Sequence, residues 1–298
     1  MVVLFYSMMA AQSIISRKAA MDIINRTVIK RYEYAQVNLA TDSNGNKLIE
    51  KIQFHISPVI PLTFQYDYHE LEMMESIIKP LEIPHARIIN SIQNERCTTY
   101  VMDFIDGINC GDEPKAEYLY IAAEKIGAIY SKSKMNMNRL SKGIIEKYTL
   151  TKEKMFDYIE VINKYYNMAP IYSIINYIFD KYQNQTQFVT HGDIQFKNFI
   201  YNNDLHLIDW SGQIDPFFSD LYSLISQAHK VDADMDEIKK RYLEFSKISS
   251  ISDEDILIGG IINAIRAIFT LLIFDCPTEW VESSYNELQD LIPLLNFH

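Results

Sequence analysis

Residues 188–210 read FVTHGDIQFKNFIYNNDLHLIDW and form a short β-rich segment in a C-terminal half of otherwise helical character. The pattern predicts a strand at FVT, a loop at HGDIQFKN, and a hairpin of FIY and LHLID with a tight turn at 202–204. Asp193 and Asn198 lie on the loop, and Asp209 ends the second strand of the hairpin. Because a hairpin returns its far end toward its start, we expect Asp209 to lie beside Asn198 and within reach of Asp193.

The three side chains are of the types that phosphoryl transfer requires. A carboxylate takes or orients the proton of the attacking hydroxyl, and an amide oxygen and a second carboxylate hold the Mg²⁺ ions that bridge the phosphates. Zinc would favour a cluster of His and Cys ligands, which this segment lacks. The segment therefore indicates a Mg²⁺-dependent phosphoryl-transfer site.

HGDIQFKN followed by LIDW resembles the catalytic and metal-binding motifs of the aminoglycoside phosphotransferase and choline kinase superfamily, whose members are similar in fold to protein kinases. The resemblance implies that Asp193 is the catalytic base and that Asn198 and Asp209 bind Mg²⁺. It implies that His191 buttresses the loop, and that Asp220 in PFFSDLYSLI opens the next helix and braces the loop. The spacing H-x-D-x4-N is weak alone, and the flanking strand, hairpin and Asp-Trp ending make it specific.

Structural alternatives stay open for each of these residues. Asp193 and Asn198 could be turn residues that bond their own backbone. Asp209 could be the N-cap of a helix, and His191 could be a structural histidine in a packed loop.

The N-terminal third of the chain predicts an antiparallel sheet with one helix. Residues 1–25 have the pattern of an amphipathic helix rather than a signal peptide, because no positive charge precedes their apolar run. An antiparallel β-unit is predicted at 28–56 around the turn signal DSNGN, followed by a helix at about 66–79. The strand-like runs ARIINSIQ and CTTYVMDFI complete this part.

Helical patterns dominate the rest of the chain. A long helix is predicted at AEYLYIAAEKIGAIYSK, more helix at about 151–182, and a buried helix at Ile261–Phe274. We therefore predict an α+β, two-lobed, protein-kinase-like fold. Residues 1–105 would form the nucleotide-binding lobe, and residues 106–298 would form the catalytic and acceptor-binding lobe.

A kinase also needs a strand lysine for the α- and β-phosphates and a helix glutamate that positions it. In the strand KLIEKIQF, Lys51 occupies the expected place, with Lys47 as the nearest rival and a solvated strand end as the alternative. Glu70 falls inside the apolar stripe of its helix, which comprises Leu71, Met74, Ile77, Ile78 and Leu81. A lone carboxylate there is unfavourable, so we predict that Glu70 pairs with Lys51, unless Glu70 lies in a frayed first turn.

One feature departs from the kinase pattern. No glycine lies between Arg26 and Gly45, so a Gly-rich phosphate loop is missing and the segment YEYAQVNLA must serve instead. The segment YVMDFIDG resembles the link between the two lobes, where the backbone of Asp103 and Ile105 would meet the purine.

Composition limits the partners and the compartment. The 298 residues carry a formal charge of −11, which argues against nucleic acid and weakly favours a cationic ligand. Cys97, Cys110 and Cys276 suggest neither a disulfide framework nor a zinc site, so we expect free thiols in a cytoplasmic protein. No apolar run reaches the length of about 20 residues that a membrane span needs, and no membrane partner is expected.

These observations predict an ATP- or GTP-dependent phosphotransferase whose second partner is a small hydroxyl-bearing acceptor. That acceptor could be an aminoglycoside-like antibiotic, or a metabolite such as choline, a sugar or an amino alcohol. It would lie beside Asp193, where Asp275, Glu279 and Glu282 line a cationic site or form a solvated helix face. A non-catalytic relative resembling spore-coat proteins is the alternative, and a protein kinase is disfavoured because no Ala-Pro-Glu signal follows Asp209.

Overall fold

The computed structural model describes residues 23–31, 35–54, 70–94 and 97–295. Its N-terminal part is a five-stranded sheet in the order β1-β2-β3-β5-β4, with every neighbouring pair antiparallel. The predicted antiparallel sheet is therefore confirmed. Its strands are β1 Ile23–Arg31, β2 Ala35–Asp42, β3 Lys47–Phe54, β4 Ile88–Gln93 and β5 Cys97–Asp103.

A short helix packs its apolar stripe against this sheet. Helix α1, Glu70–Met73, continues as a wider π-type turn through Met74–Ile78. Of the predicted stripe, Leu71 is half-buried and the other four residues are buried. The predicted helix is thus confirmed from residue 70, and residues 66–69 lie outside the described part of the chain.

The predicted N-terminal helix is wrong where it can be compared with the structure. Ile23 and Asn25 belong to β1 and pair with Asp42 and Thr41 of β2. Cross-strand pairing at these positions overrides the local helical pattern, because a sheet neighbour supplies hydrogen bonds that the segment's own periodicity does not reveal. Residues 1–22 lie outside the described residues.

The C-terminal part is mainly helical, as predicted. Its first element, β6, begins at Ile108, five residues after β5 ends at Asp103. A boundary between residues 105 and 106 stays a prediction. The helices are α2 Ala116–Asn136, α3 Lys142–Tyr148, α4 Lys152–Ile162, α5 Ile171–Tyr182, α6 Ser219–Gln227, α7 Met235–Ser246, α8 Asp253–Ile273 and α9 Thr278–Leu291.

Short strands between the helices build the predicted hairpin. Strand β8, Phe199–Tyr201, pairs antiparallel with β9, Leu205–Leu207, and β6, Ile108–Asn109, extends this pair to three strands. Strand β7, Phe188–Val189, pairs instead with β10, Ile214–Asp215. Strand β9 ends at Leu207, so Asp209 lies beyond the strand rather than at its end, contrary to the prediction.

Two large apolar clusters and a small one at Ala40, Leu48 and Val101 lie within the described residues. The first joins the sheet, α1 and the hairpin to α2, and the second lies among α4, α5, α8 and α9. The predicted buried helix at Ile261–Phe274 lies in α8, which begins earlier because Ser252 and Asp255 form a capping box. By length and hydropathy α8 could cross a membrane, but 61% of its most apolar stretch is buried inside the protein. The expectation of no membrane partner stays a prediction.

Helices α2 and α7 pack at very close range through Gly127. A Cβ atom at this position would lie 2.6 Å from the carbonyl oxygen of Tyr242 and 3.0 Å from the amide nitrogen of Ser246. Both are backbone atoms of α7, so they cannot move away as a flexible side chain could. Only glycine fits this contact without moving the helices apart.

We expect Gly127→Ala to lower the free energy of unfolding by about 1–3 kcal/mol, because overpacking forces the backbones of α2 and α7 to separate. Urea unfolding followed by circular dichroism measures the change. The matched control is Gly143→Ala in α3, where a Cβ atom would meet nothing within 4 Å. This control should be neutral or stabilising by up to about 1 kcal/mol through helix propensity. Equal destabilisation by both variants would contradict the packing explanation.

Candidate active site

The loop between β7 and β8 holds Asp193 and Asn198 against each other. The Asn198 amide Nδ2 donates to the carbonyl oxygen of Asp193 at 2.9 Å and to its Oδ2 atom at 2.8 Å. A short 3₁₀ turn at Phe196–Asn198 brings the amide back over the loop. The other amide atom, Asn198 Oδ1, is buried and has no hydrogen-bond partner within the described chain. An oxygen acceptor is therefore left unsatisfied at this point, which is uncommon in a packed interior.

The carboxylate of Asp193 is fixed in position but remains accessible. Its Oδ1 atom accepts a hydrogen bond of 2.5 Å from Gln195 Nε2, while Lys197 Nζ lies 3.9 Å from its Oδ2 atom. The side chain keeps 33% of its surface exposed. The Asp193 carboxylate is therefore held by neighbouring side chains and still reachable from solvent.

Asp220 holds the start of this loop from behind. It is the second residue of α6, and its carboxylate accepts hydrogen bonds from the amides of His191 at 2.5 Å and Gly192 at 3.0 Å. Gly192 has a φ of +86°, where a side chain would be strained, and a Cβ atom there would lie 2.7 Å from Gly212. Burial raises the pKa of Asp220, although His191 and the two amides act against this.

His191 fills the space under the loop. It is fully buried, its ring lies 4.6 Å from that of Trp210 between centroids, and its Nδ1 atom accepts from the amide of Asp193 at 3.4 Å. Burial lowers the pKa of His191 more than the nearby carboxylates of Asp220, Asp193 and Asp209 raise it. A neutral ring that accepts from the loop backbone fits the predicted structural role of His191.

Asp209 lies beside the loop, as the hairpin geometry predicts. The amide of Ile208 donates to the carbonyl oxygen of Asn198 at 3.0 Å, which ties the end of the hairpin to the loop. Asp209 itself has a φ of +61°, and its carboxylate contacts the Lys51 ammonium of β3. Burial raises the pKa of Asp209, but Lys51 and, after it, Lys30 and His191 outweigh this effect, so the net pKa is lowered.

The predicted contact between Lys51 and Glu70 is confirmed. Lys51 Nζ lies 2.9 Å from Glu70 Oε1 and 2.8 Å from Oε2, and the two side chains expose only 13% and 10% of their surface. Burial lowers the pKa of Lys51, but Glu70 and Asp209 together raise it above its usual value. The rival Lys47 is exposed and lies over the ring of Phe104.

Tyr100 is a member of this cluster that the sequence analysis did not identify. Its hydroxyl donates to Glu70 Oε2, and its ring is fully buried. Tyr100 lies directly opposite Lys51 across β3 and β5, so the two side chains share one face of the sheet. The adjacent row on that face is apolar and comprises Leu39, Ile49 and Met102. Only the strand order, which no local pattern reveals, would have indicated Tyr100.

The remaining predicted residues lie around this cluster without a demonstrated role. The amide of Asp103 donates to the carbonyl oxygen of Arg87 at 3.1 Å, so it is already engaged in the sheet, and Ile105 is half-buried. Their contact with a purine stays a prediction. In the segment YEYAQVNLA, residues 32–34 lie outside the described part of the chain. At the junction of α8 and α9, three acidic residues are exposed, namely Asp275, Glu279 and Glu282.

A second buried carboxylate, also missed by the sequence analysis, lies behind the loop. Asp215 in β10 is fully buried, its Oδ1 atom accepts from the amide of Phe217 at 2.9 Å, and its Oδ2 atom has no partner among the described residues. Burial raises the pKa of Asp215 to about 7, although Arg266 acts in the opposite direction. Asp215 therefore changes its charge near neutral pH.

No protein-family model matches the chain, and no curated protein is similar to it in sequence. Solved structures do share its fold. An ethanolamine kinase from Plasmodium vivax has a TM-score of 0.58 at 12% identity, over 91% of this chain and 83% of that one. A spectinomycin phosphotransferase in complex with ADP and spectinomycin has a TM-score of 0.54 at 14% identity, over 91% and 90%. An aminoglycoside phosphotransferase from Streptomyces rimosus has a TM-score of 0.53 at 15% identity, over 84% of this chain and 91% of that one.

These similarities confirm the predicted fold. The chain shares the two-part, protein-kinase-like fold of these small-molecule kinases and phosphotransferases. At identities of 11–15% the similarity establishes the fold alone. The roles of the individual site residues therefore stay predictions, supported by the contacts described above.

We expect Lys51 and Glu70 to be energetically coupled, because removal of either one leaves the other charge buried without its main partner. In a cycle of Lys51→Met, Glu70→Gln and the double variant, the double loss in unfolding free energy should be smaller than the sum of the single losses by about 0.5–3 kcal/mol. The control cycle uses the exposed pair of Lys79 and Glu75. Its coupling should be about 0.3–0.5 kcal/mol. Additive effects at Lys51 and Glu70 would contradict the coupling.

Asp215 should make the protein less stable as the pH rises from about 4 to about 7. In this window the folded state holds a proton on Asp215 that the unfolded chain, with a pKa of 3.8, has released. The contribution amounts to at most about 1.4 kcal/mol per pH unit. Unfolding of wild type and Asp215→Asn at pH 5 and pH 7.5 tests this, with the exposed Asp157→Asn as control. The pH dependence should change only in Asp215→Asn, and an unchanged dependence would contradict the shifted pKa.

Proposed function

We propose that this protein is a small-molecule kinase that transfers the γ-phosphate of ATP or GTP to a hydroxyl group of its acceptor. The observation that carries the proposal is the meeting of Lys51 with both Glu70 and Asp209. It brings a sheet lysine, a helix glutamate and the aspartate after the hairpin into one cluster beside Asn198 and Asp193. This is the arrangement that kinases use to hold phosphates, bind metal and accept a proton.

Asp193 acts on the acceptor hydroxyl. Its carboxylate is exposed on one side and held on the other by Gln195 and Asn198, so it can accept a hydrogen bond from the hydroxyl and then its proton. A base of this kind contributes about 10²–10⁴ to the rate. The two amide donors fix the direction in which the carboxylate points, which keeps it aimed at the acceptor.

Asn198 and Asp209 fit a Mg²⁺ site. The buried Asn198 Oδ1 atom lacks a partner in the described chain, and the low pKa of Asp209, to which Lys51 contributes most, keeps its carboxylate charged despite burial. Amide and carboxylate oxygens are the ligands that Mg²⁺ prefers. When bound, Mg²⁺ would neutralise negative charge on the phosphates and on the transferred group. Lys51 binds the α- and β-phosphates, and Glu70 and Tyr100 orient its ammonium group.

For the acceptor, we favour a cationic hydroxyl compound such as an aminoglycoside-like antibiotic, with choline, a sugar or an amino alcohol as alternatives. The acceptor would bind in the C-terminal part of the protein. We also propose that the enzyme is cytoplasmic. Burial and Asp275 raise the pKa of Cys276, and Lys197 of the catalytic loop opposes them, so the junction of α8 and α9 lies near this loop. The exposed acids Asp275, Glu279 and Glu282 belong to this junction, and the chain's charge of −11 also favours a cation.

A nucleotide-consumption screen with Mg²⁺, ATP or GTP, and aminoglycosides, choline-like amines and sugars tests the proposal. With the active acceptor, Asp193→Asn should lower turnover by about 10²–10⁴ while nucleotide still raises the melting temperature, because the change removes the base and keeps its shape. Asp204→Asn, at the exposed turn of the same hairpin, is the control and should retain activity. Equal activity of Asp193→Asn and wild type would overturn the assignment of the base. The absence of any thermal shift with either nucleotide would favour a non-catalytic kinase-like protein.

A further inference from the structure

Lys30 departs from the exposure pattern of its strand. Along β1 every residue is exposed except Ile23 at its start and Lys30 near its end, which are half-buried. The neighbours of Lys30 in sequence, Ile29 and Arg31, are both exposed. A lysine is ordinarily among the most exposed residues of an edge strand. The backbone geometry of β1 must therefore direct the Lys30 side chain toward the protein interior.

The register of the sheet shows which face Lys30 occupies. Lys30 lies opposite Val37 of β2, Val37 lies opposite Lys51 of β3, and Lys51 lies opposite Tyr100 of β5. Directly opposed residues of antiparallel strands project from the same face. Lys30 therefore projects from the face that carries Lys51 and Tyr100, which is the face of the candidate active site.

A one-residue bulge produces this placement. Val28 pairs with Asn38 and Lys30 with Val37, so Ile29 is an extra residue with no partner of its own. With regular pairing, Ile29 would lie opposite Val37, and Lys30 would fall on the outer face of the sheet. β-bulges commonly redirect a side chain beside an active site. Here the bulge places the Lys30 side chain on the face of Lys51 rather than on the outer face.

The ammonium group of Lys30 shares a face of the sheet with Lys51 but has no counter-charge among the described residues. No described carboxylate lies within 4.0 Å of its ammonium nitrogen, whereas Lys51 on the same face has two such partners. A half-buried cation without a counter-charge in the described part of the chain is suited to an anionic ligand.

We propose that Lys30 binds the phosphates of the nucleotide and supplies from a side chain the positive charge that a Gly-rich turn supplies from backbone amides. This inference rests on the proposed function. The segment from Arg26 to Gly45 contains no internal glycine, so close approach of the backbone to a phosphate chain is not favoured there. Lys30 and Lys51 are two strands apart, about 10 Å between their backbones, so they reach different phosphate groups.

Calorimetric titration of wild type, Lys30→Ala and Lys30→Arg with Mg²⁺-ADP or Mg²⁺-GDP, and with the matching nucleosides, tests the inference. Lys30→Ala should weaken diphosphate binding about tenfold or more, which is the usual effect of one hydrogen bond to a charged group. It should leave nucleoside binding unchanged, and Lys30→Arg should restore most of the loss. The matched control is Arg31→Ala, since Arg31 lies opposite Gln36 on the outer face and should not affect either ligand.

The possible outcomes separate the two proposals. If wild type binds diphosphate and Lys30→Ala binds it equally well, the role of Lys30 is overturned and the proposed function stands. If Lys30→Ala loses diphosphate and nucleoside binding to the same extent, Lys30 supports the sheet rather than the phosphates, which also overturns the inference. If wild type binds neither ADP nor GDP, the proposed function fails and the role of Lys30 fails with it. Melting temperatures of the variants establish that each one is folded before it is titrated.

Discussion

The Lys51 ammonium group, held between Glu70 and Asp209, is the interaction on which the rest of the site depends. It joins β3 and α1 of the N-terminal part to a residue 158 positions along the chain in the C-terminal part. A buried cation is costly, and two carboxylates offset that cost only while both are in place. Tyr100 then fixes the Glu70 carboxylate from the neighbouring strand. The relative position of sheet and catalytic loop is thus set by charge as well as by apolar packing.

The loop between β7 and β8 is organised around two carboxylates in different surroundings. Asp220 is fully enclosed and accepts the amides of His191 and Gly192, so it shapes the backbone and has no access to a ligand. Asp193 follows Gly192 directly in the chain, and its side chain is partly exposed to solvent. Both residues are aspartates, and they differ in burial: Asp220 is 5% exposed, whereas the Asp193 side chain is 33% exposed. A buried acid that binds backbone amides is structural, while an exposed one held by two amide side chains is free to react.

Local patterns predicted the parts of this site that depend on nearby sequence. The hairpin at 199–207 places Asp209 beside Asn198 because a turn of three residues leaves little freedom, and the helical stripe placed Glu70 on the buried face of α1. Tyr100 and Asp215 could not be predicted in this way, since one depends on the order of strands and the other on burial by distant helices. Strand pairing also explains why the helical prediction for residues 23–25 is wrong: these residues pair with β2, which the local pattern does not reveal.

Lys30 illustrates most sharply what periodicity leaves undetermined. Strict alternation places Arg26, Val28 and Lys30 on one face, together with Glu50, which is buried on the outer side of the sheet. That carboxylate already accepts two hydrogen bonds from Arg26 and one from Asn38, so its charge and lone pairs are largely satisfied. A second cation there would gain little, whereas on the opposite face it shares the face of Lys51 and Tyr100. The extra residue Ile29 determines which face of the sheet carries the Lys30 side chain. The sequence VIKR contains no signal that predicts this bulge.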